Sequence, residues 1–142
     1  MFRLIRRTKR EIDISLAKDL LKNERRAVLA VNGDESYPYC MPINYIYIEE
    51  DNKIYFHGAR AGHKYDSLKK DDKVCLTVFG NDRYEDGDWA PYVQSTVVFG
   101  RCHMIEDTER ALELVKIFAM KYYPNEKEVD DEIKLYGDAV QM

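Results

Sequence analysis

Residues 53–64 read Lys-Ile-Tyr-Phe-His-Gly-Ala-Arg-Ala-Gly-His-Lys, and the rest of the chain can be placed by working outward from them. Ile54, Tyr55 and Phe56 are strand formers. The next residues mix small side chains with basic ones, and 65–70 (Tyr-Asp-Ser-Leu-Lys-Lys) have the composition of a short helix. A strand that feeds a small-residue loop at a helix start leaves backbone N–H groups without intrahelical partners. Gly58 and Gly62 allow a ligand to approach that backbone closely. Arg60, His63 and Lys64 add positive or potentially positive charge, with His57 beside them. Free N–H groups, a helix N-terminus and cations together have the chemistry of a phosphate site. An ordinary turn with solvated charges is the competing reading of the same residues.

Upstream, a basic head (residues 1–12) precedes a helix over 15–23 that Asp13 or Ser15 can cap. Leu16, Ala17, Leu20 and Leu21 fall on one face of that helix. Residues 27–31 read as a first strand and Asn32-Gly33-Asp34 as a turn. Residues 37–48 form a long aromatic second strand broken by Pro42. A proline there implies an edge, a bulge or a departure from the ladder. After a polar turn at 49–52, residues 53–57 pair back as a hairpin. Downstream, 74–79 alternate as a strand, 80–92 form a polar loop carrying the one tryptophan, Trp89, and 94–105 make a long strand. Asp107 caps the clearest helix, where Ala111, Leu114, Val115, Phe118, Ala119 and Tyr122 recur at helical spacing. Tyr122-Tyr123-Pro124 ends it, and an acidic tail, helical in part, occupies 125–142. Short connections imply a largely antiparallel sheet. Five or more strands with few helices must close or fold over, so the expectation is a small barrel with helices outside, an open α+β sheet being the alternative.

Composition narrows the function classes. The 142 residues suit one domain with a real core. A charged fraction of 34% beside 45% hydrophobic residues fits a globular protein. The net charge of −4 argues against nucleic acid as the main partner. No apolar run reaches membrane-span length and the basic head lacks a signal-peptide core, so the cytoplasm is the expected compartment. Cys40, Cys75 and Cys102 are odd in number and lie in apolar runs without zinc-type spacing, so buried free thiols are expected, with no disulfide and no metal site.

Four segments in order carry a resemblance. They are the head Arg6-Arg7-Thr8-Lys9-Arg10-Glu11-Ile12, the strand Tyr37-Pro38-Tyr39-Cys40-Met41-Pro42-Ile43-Asn44-Tyr45, the 54–64 motif, and Ser95-Thr96-Val97-Val98-Phe99-Gly100-Arg101. Together they resemble the pyridoxamine 5′-phosphate oxidase-like superfamily of FMN-binding split β-barrels, in particular the branch of nitroimidazole-resistance proteins. The family pattern continues past the last helix into a further strand. Here the matching stretch opens at Ala139-Val140-Gln141-Met142, so the C-terminal edge is expected to be shortened or to close differently.

The resemblance implies a mainly β fold with flanking helices: an antiparallel split β-barrel of one domain, 1–142, with the basic arm 1–12 and the C-terminal helical segment 107–142. It implies that FMN is the cofactor. Its phosphate would lie at His57, Gly58, Ala59, Gly62 and Lys64, with Lys64 giving a charge-assisted bond to phosphate. Met41, Pro42, Ile43 and Asn44 would lie against the flavin ring, and Ser95 or Thr96 would reach ring or phosphate. A proline-interrupted strand leaves backbone groups for a flavin edge, and Asn44 offers a donor and an acceptor. His57 is the candidate catalytic residue, against a purely structural role. Arg60 and His63 are expected at the surface, and Trp89 and Tyr92 either cover the flavin or anchor their loop.

The family pattern also implies a homodimer with the flavin between subunits, and Tyr45, Tyr47 and Tyr55 suit half-buried interface faces. The expected activity is that of an FMN-dependent oxidoreductase acting on a small electron-poor substrate such as a nitroimidazole, with NAD(P)H as the candidate donor. A flavin or haem carrier, sensor or store is the second reading. An oligonucleotide-binding barrel is a third, which the acidic balance disfavours.

Overall fold

Each segment with strand or helix periodicity forms the element its spacing predicts, though several begin or end elsewhere. The computed structural model describes residues 1–123. Within them lie α1 (Ile14–Asn23), β1 (Arg26–Asn32), β2 (Pro38–Asn44), β3 (Ile46–Ile48), β4 (Lys53–Tyr55), α2 (His63–Lys70), β5 (Lys73–Arg83), β6 (Tyr92–Arg101) and α3 (Thr108–Tyr122). The tail at 125–142, Pro124 and the expected C-terminal edge at 139–142 lie outside the described residues.

The strands form two antiparallel sheets, one in the order β2-β1-β5-β6 and one pairing β3 with β4, and the described residues hold no closed barrel. The fold is therefore mainly antiparallel sheet with flanking helices. Among the described residues no helix is long and apolar enough to cross a membrane.

Alternation decides which sheet face is buried. Ala27, Leu29 and Val31 of β1 point inward, as do Ile43 of β2 and Leu76 and Val78 of β5. With Leu20 and Leu21 of α1 and Leu68 of α2 they form the main apolar core. Each Val, Leu or Ile side chain among them contributes about 1.5–3 kcal/mol relative to exposure. A second, smaller core joins Ile46 of β3 to Leu114 and Phe118 of α3. Asp13 caps α1 by accepting the Ser15 N–H at 2.8 Å, and Asp107 caps α3 by accepting from Glu109 at 3.0 Å.

The long second strand is in fact two. Pro42 does not interrupt it: it sits opposite Val28 in an unbroken register, tolerated because β2 is an edge strand. The break falls at Tyr45, which is fully buried and turns the chain from the four-stranded sheet into the hairpin β3–β4. The β5–β6 ribbon extends further than expected, to Arg83 on one side and from Tyr92 on the other, with a register shift between Gly80 and Arg83. The expected strand at 94–105 ends at Arg101, and the hairpin strand at 53–57 ends at Tyr55.

On α1, Leu16 faces outward, at 44% exposed, rather than joining Leu20 and Leu21. The three cysteines are free, but Cys40 is exposed and the other two are only half-buried.

Among the described residues, the helix side chains of both cores pack away from the outer face of the four-stranded sheet. Register places Pro42, Val28, Thr77 and Val97 in one cross-strand row, and Cys40, Ala30, Cys75 and Phe99 in the next. Phe79, Val97 and Phe99 on this face are each more than half exposed.

Candidate functional site

The hairpin β3–β4 delivers Phe56 and the small-residue loop to the start of α2. Helix α2 begins two residues earlier than composition predicts, at His63, with Gly62 before it at φ +106°. That dihedral is open to glycine and costly for other residues, so Gly62 is required for the turn into the helix. The Asp66 N–H bonds back to the Gly62 carbonyl at 3.0 Å. The N–H groups of His63, Lys64 and Tyr65 precede the first intrahelical bond, so they are free to meet a ligand.

Lys64 projects from this first turn over the loop. Its Nζ lies 3.2 Å from where a methyl group on Gly58 would sit. A side chain at 58 would therefore crowd the ammonium group. The same Nζ stands 5.5 Å from the centre of the Phe56 ring. His57 is half-buried, with its ring edge-on to Phe118 at 4.5 Å. Burial, and secondarily the Lys64 charge, hold its pKa below 6.5, so the imidazole is neutral at neutral pH.

These residues open onto a cleft of about 850 Å³. Its walls come from α1 (Ile14, Ala17, Lys18, Leu21), from β4 and Phe56, and from inward side chains of β5 and β6 with the segment that follows. The cleft reaches round the free edge of β6, so Val97 and Phe99 also border it. The lining is largely apolar and aromatic. It includes four cations, Lys18, Lys53, Lys64 and Arg101, and no carboxylate. In a chain of net charge −4 that segregation is specific. Lys18 pairs with Glu49 at 3.3 Å and Arg101 with Asp72 at 2.6 Å. Lys53 and Lys64 make no ion pair among the described residues.

Of the residues singled out from the sequence, Gly58, Ala59 and Lys64 line the cleft, and His57 adjoins them. Gly62 acts through the backbone. The 41–44 segment is elsewhere in the single chain. Met41 and Ile43 pack on the main core, while Pro42 and Asn44 are exposed on the outer sheet face. Ser95 alternates onto that same outer face, whereas Thr96 lines the cleft and bonds the Ala17 carbonyl at 3.2 Å.

Arg60 and His63 are at the surface, as expected. His63 stacks on Tyr39 at 4.0 Å and lies 3.7 Å from Asp34, so it secures α2 to the β1–β2 connection. Trp89 is 96% exposed, and Tyr92 bonds Asp88 at 2.5 Å at the base of its loop. Tyr45 is fully buried and Tyr47 and Tyr55 are half-buried. Tyr47 and Tyr55 border the cleft.

Sequence reasoning missed the α1 wall and the stretch Cys102, His103, Met104 and Ile105. The signal for α1 was present, since Ile14, Ala17, Lys18 and Leu21 recur at i, i+3, i+4 and i+7. The segment after β6 has no periodicity of its own, and only the tertiary fold brings it to the cleft.

A family model described as pyridoxamine 5′-phosphate oxidase matches residues 15–138. No curated protein matches. Among solved structures, a putative 5-nitroimidazole antibiotic resistance protein from Bacteroides thetaiotaomicron aligns with a TM-score of 0.74 and 19% identity, covering 91% of this chain and 76% of that one. A flavocytochrome from Azotobacter vinelandii aligns at 0.69 and 20%, covering 91% and 61%. An FAD and heme binding protein from Mycobacterium smegmatis aligns at 0.67 and 16%, covering 91% and 63%. At such identities the likeness speaks to the fold.

Proposed function

The chain belongs to the pyridoxamine 5′-phosphate oxidase family, and from that premise we propose that it is an FMN-dependent oxidoreductase holding its flavin phosphate where the 57–62 loop meets α2. The observation that carries this reading is the cleft wall: Gly58, Ala59 and Lys64 lie at one end of a carboxylate-free, largely aromatic and aliphatic slot. The volume falls in the range of small-molecule and cofactor sites. Lys64 gives the phosphate a charge-assisted bond, and the free N–H groups at the start of α2 add to it. Bound FMN supplies two-electron transfer; the chain supplies position, dryness and charge. Neutral His57 adds a hydrogen-bonding group beside the phosphate without a second positive charge. Phe56, Tyr47 and Val98 line the slot with apolar and aromatic surface.

Names of structural neighbours support a flavin. One is called a flavocytochrome and one an FAD and heme binding protein. FMN in particular is our reading, because a single phosphate-binding corner suits a mononucleotide. The expected substrate is small and electron-poor, of nitroimidazole type, as the name of the Bacteroides neighbour suggests, with NAD(P)H as donor. We take the two sheets as halves of a split β-barrel in one domain, 1–142, residing in the cytoplasm. A homodimer completes the site: the exposed apolar outer face is the surface for a second copy. Pro42, Asn44 and Ser95, on that face, then meet the flavin across the subunit boundary, with Met41 and Ile43 behind them in the core.

The second reading, a flavin or haem protein without turnover, draws on His103, an imidazole in the cleft wall, and on the haem named for the Mycobacterium neighbour.

The test is the visible spectrum of the purified protein, with the released chromophore identified. FMN at about one per chain, reducible by NAD(P)H and reoxidised by a nitroaromatic, supports the enzyme. Flavin inert to every donor and acceptor, or a haem spectrum, favours the second reading. A colourless protein that takes up no FMN removes the phosphate assignment.

A further inference from the structure

The first ten residues hold five cations, Arg3, Arg6, Arg7, Lys9 and Arg10, and no acid. None of the five makes an ion pair among the described residues. Met1, Phe2, Leu4 and Ile5 between them are exposed. The β5–β6 hairpin is the opposite: against one cation, Arg83, which pairs with Glu85 at 3.4 Å, it carries Asp82, Glu85, Asp86 and Asp88, and projects Tyr84 at 77% and Trp89 at 96% exposure.

The two segments match in charge and in apolar character, yet the first residues of the arm lie away from their own hairpin. Arg10 sits near enough to Tyr92, at the hairpin base, to act on its phenol. Phe2 stacks on Phe99 at 4.9 Å. The arm therefore runs back along β6, away from its own hairpin. Seven residues of strand, at about 3.4 Å each, separate Tyr92 from Phe99. That is about three times the screening length of about 8 Å at physiological salt, so Arg3, next to Phe2, is screened from its own hairpin.

We propose that the basic arm of one copy clasps the acidic, aromatic β5–β6 hairpin of a second copy. Two copies packed through the outer sheet face with their β6 strands antiparallel bring each hairpin over the other's Phe99 end, where the first residues of the arm lie. The contact is reciprocal, as a two-fold interface requires. Arg3, Arg6 and Arg7 then neutralise Asp82, Glu85 and Asp86, and Phe2 and Leu4 cover Trp89 and Tyr84. The clasp rests on the homodimer reading and adds its specific partner segments.

The test uses the full chain in sedimentation velocity at low and high salt. It also uses acrylamide quenching of Trp89, the one tryptophan. The variants are R3E/R6E/R7E and D82K/E85K/D86K, each checked for native far-UV circular dichroism. The expected result is a wild-type dimer with shielded Trp89. Either variant alone should dimerise at least about tenfold more weakly with Trp89 open to quencher. An equimolar mixture of the two should recover both association and shielding. A wild-type dimer with Trp89 exposed, and unchanged by arm reversal, overturns the clasp and leaves the dimer standing. A wild-type chain that sediments as a monomer overturns the dimer, and the clasp with it.

Discussion

The backbone N–H of Tyr45 donates to the hydroxyl oxygen of Tyr122 at 2.9 Å, joining the end of β2 to the last turn of α3 across 77 positions of sequence. Tyr122 passes its own proton to the carbonyl of Arg25 (2.6 Å) or of Tyr45 (2.7 Å). Lys121 adds a bond to the Glu24 carbonyl at 2.6 Å and lies 3.1 Å from the Tyr45 carbonyl. Where the chain leaves the four-stranded sheet it gives up ladder bonds, and buried backbone groups need other partners. Two side chains of α3 supply them.

Tyr122→Phe should therefore destabilise beyond the loss of one hydroxyl, because it strands backbone groups around Tyr45. The expected cost is about 1–3 kcal/mol, read as a lower urea midpoint at unchanged slope. Tyr47→Phe, at a half-buried cleft position, should change stability by about 0.5 kcal/mol or less. Equal effects of the two substitutions would show that the Tyr45–Tyr122 contact is incidental.

Lys121 is half-buried over the Tyr45 ring, 4.1 Å from its centre, and its pKa is lowered from 10.5 to about 8, first by burial and then by Arg25. The folded chain thus releases this proton before the unfolded chain does. Between about pH 8 and the start of tyrosine ionisation near 10, the unfolded state binds more protons, and this group makes stability rise with pH. Urea midpoints across that window should climb in the wild type relative to Lys121→Met. Parallel pH profiles would mean that Lys121 titrates normally.

Much of this architecture was legible in the sequence because it depends on local periodicity. The spacing of Leu114, Phe118 and Tyr122 fixed the face of α3, and Asp13 and Asp107 marked the caps. The 53–64 stretch delivered Gly58, Ala59 and Lys64 to the cleft. What was not legible depends on who satisfies whom. Pro42 looked like the breaker, yet an edge strand tolerates it. Tyr45 looked like an ordinary strand residue, yet it is the turning point, because α3 substitutes for its ladder. Likewise Met41–Asn44 lie away from the cleft in the single chain, since alternation sends two of those side chains into the core and two to the far face.

His57 offers a pH test at the site itself. Its folded pKa lies below its ordinary 6.5, so the unfolded chain protonates first on acidification and stability falls as pH drops through that range. His57→Gln should flatten this acid slope. In an NMR titration the His57 midpoint should lie below 6.5 in the flavin-free protein and rise when inorganic phosphate is added. A midpoint indifferent to phosphate would place the anion elsewhere.

Gly62→Ala forces an L side chain to φ +106° at the entrance to α2. The strain should cost about 1–3 kcal/mol and displace the free N–H groups, so FMN affinity should fall with stability. Gly87→Ala, at φ +88° in the β5–β6 connection and outside the cleft lining, is the control that should cost stability but leave FMN affinity unchanged.

The central claim is that Lys64 and the start of α2 hold a phosphate, and a pair of ligands differing only in that group tests it most directly. Binding of FMN and of riboflavin should be measured by flavin fluorescence for the wild type and for Lys64→Met. The account predicts that the wild type prefers FMN. The substitution should weaken FMN by about 1.5–3 kcal/mol, roughly ten- to hundredfold, while leaving riboflavin unchanged. Equal affinity of the wild type for both ligands, or an equal loss of both in the variant, would contradict it.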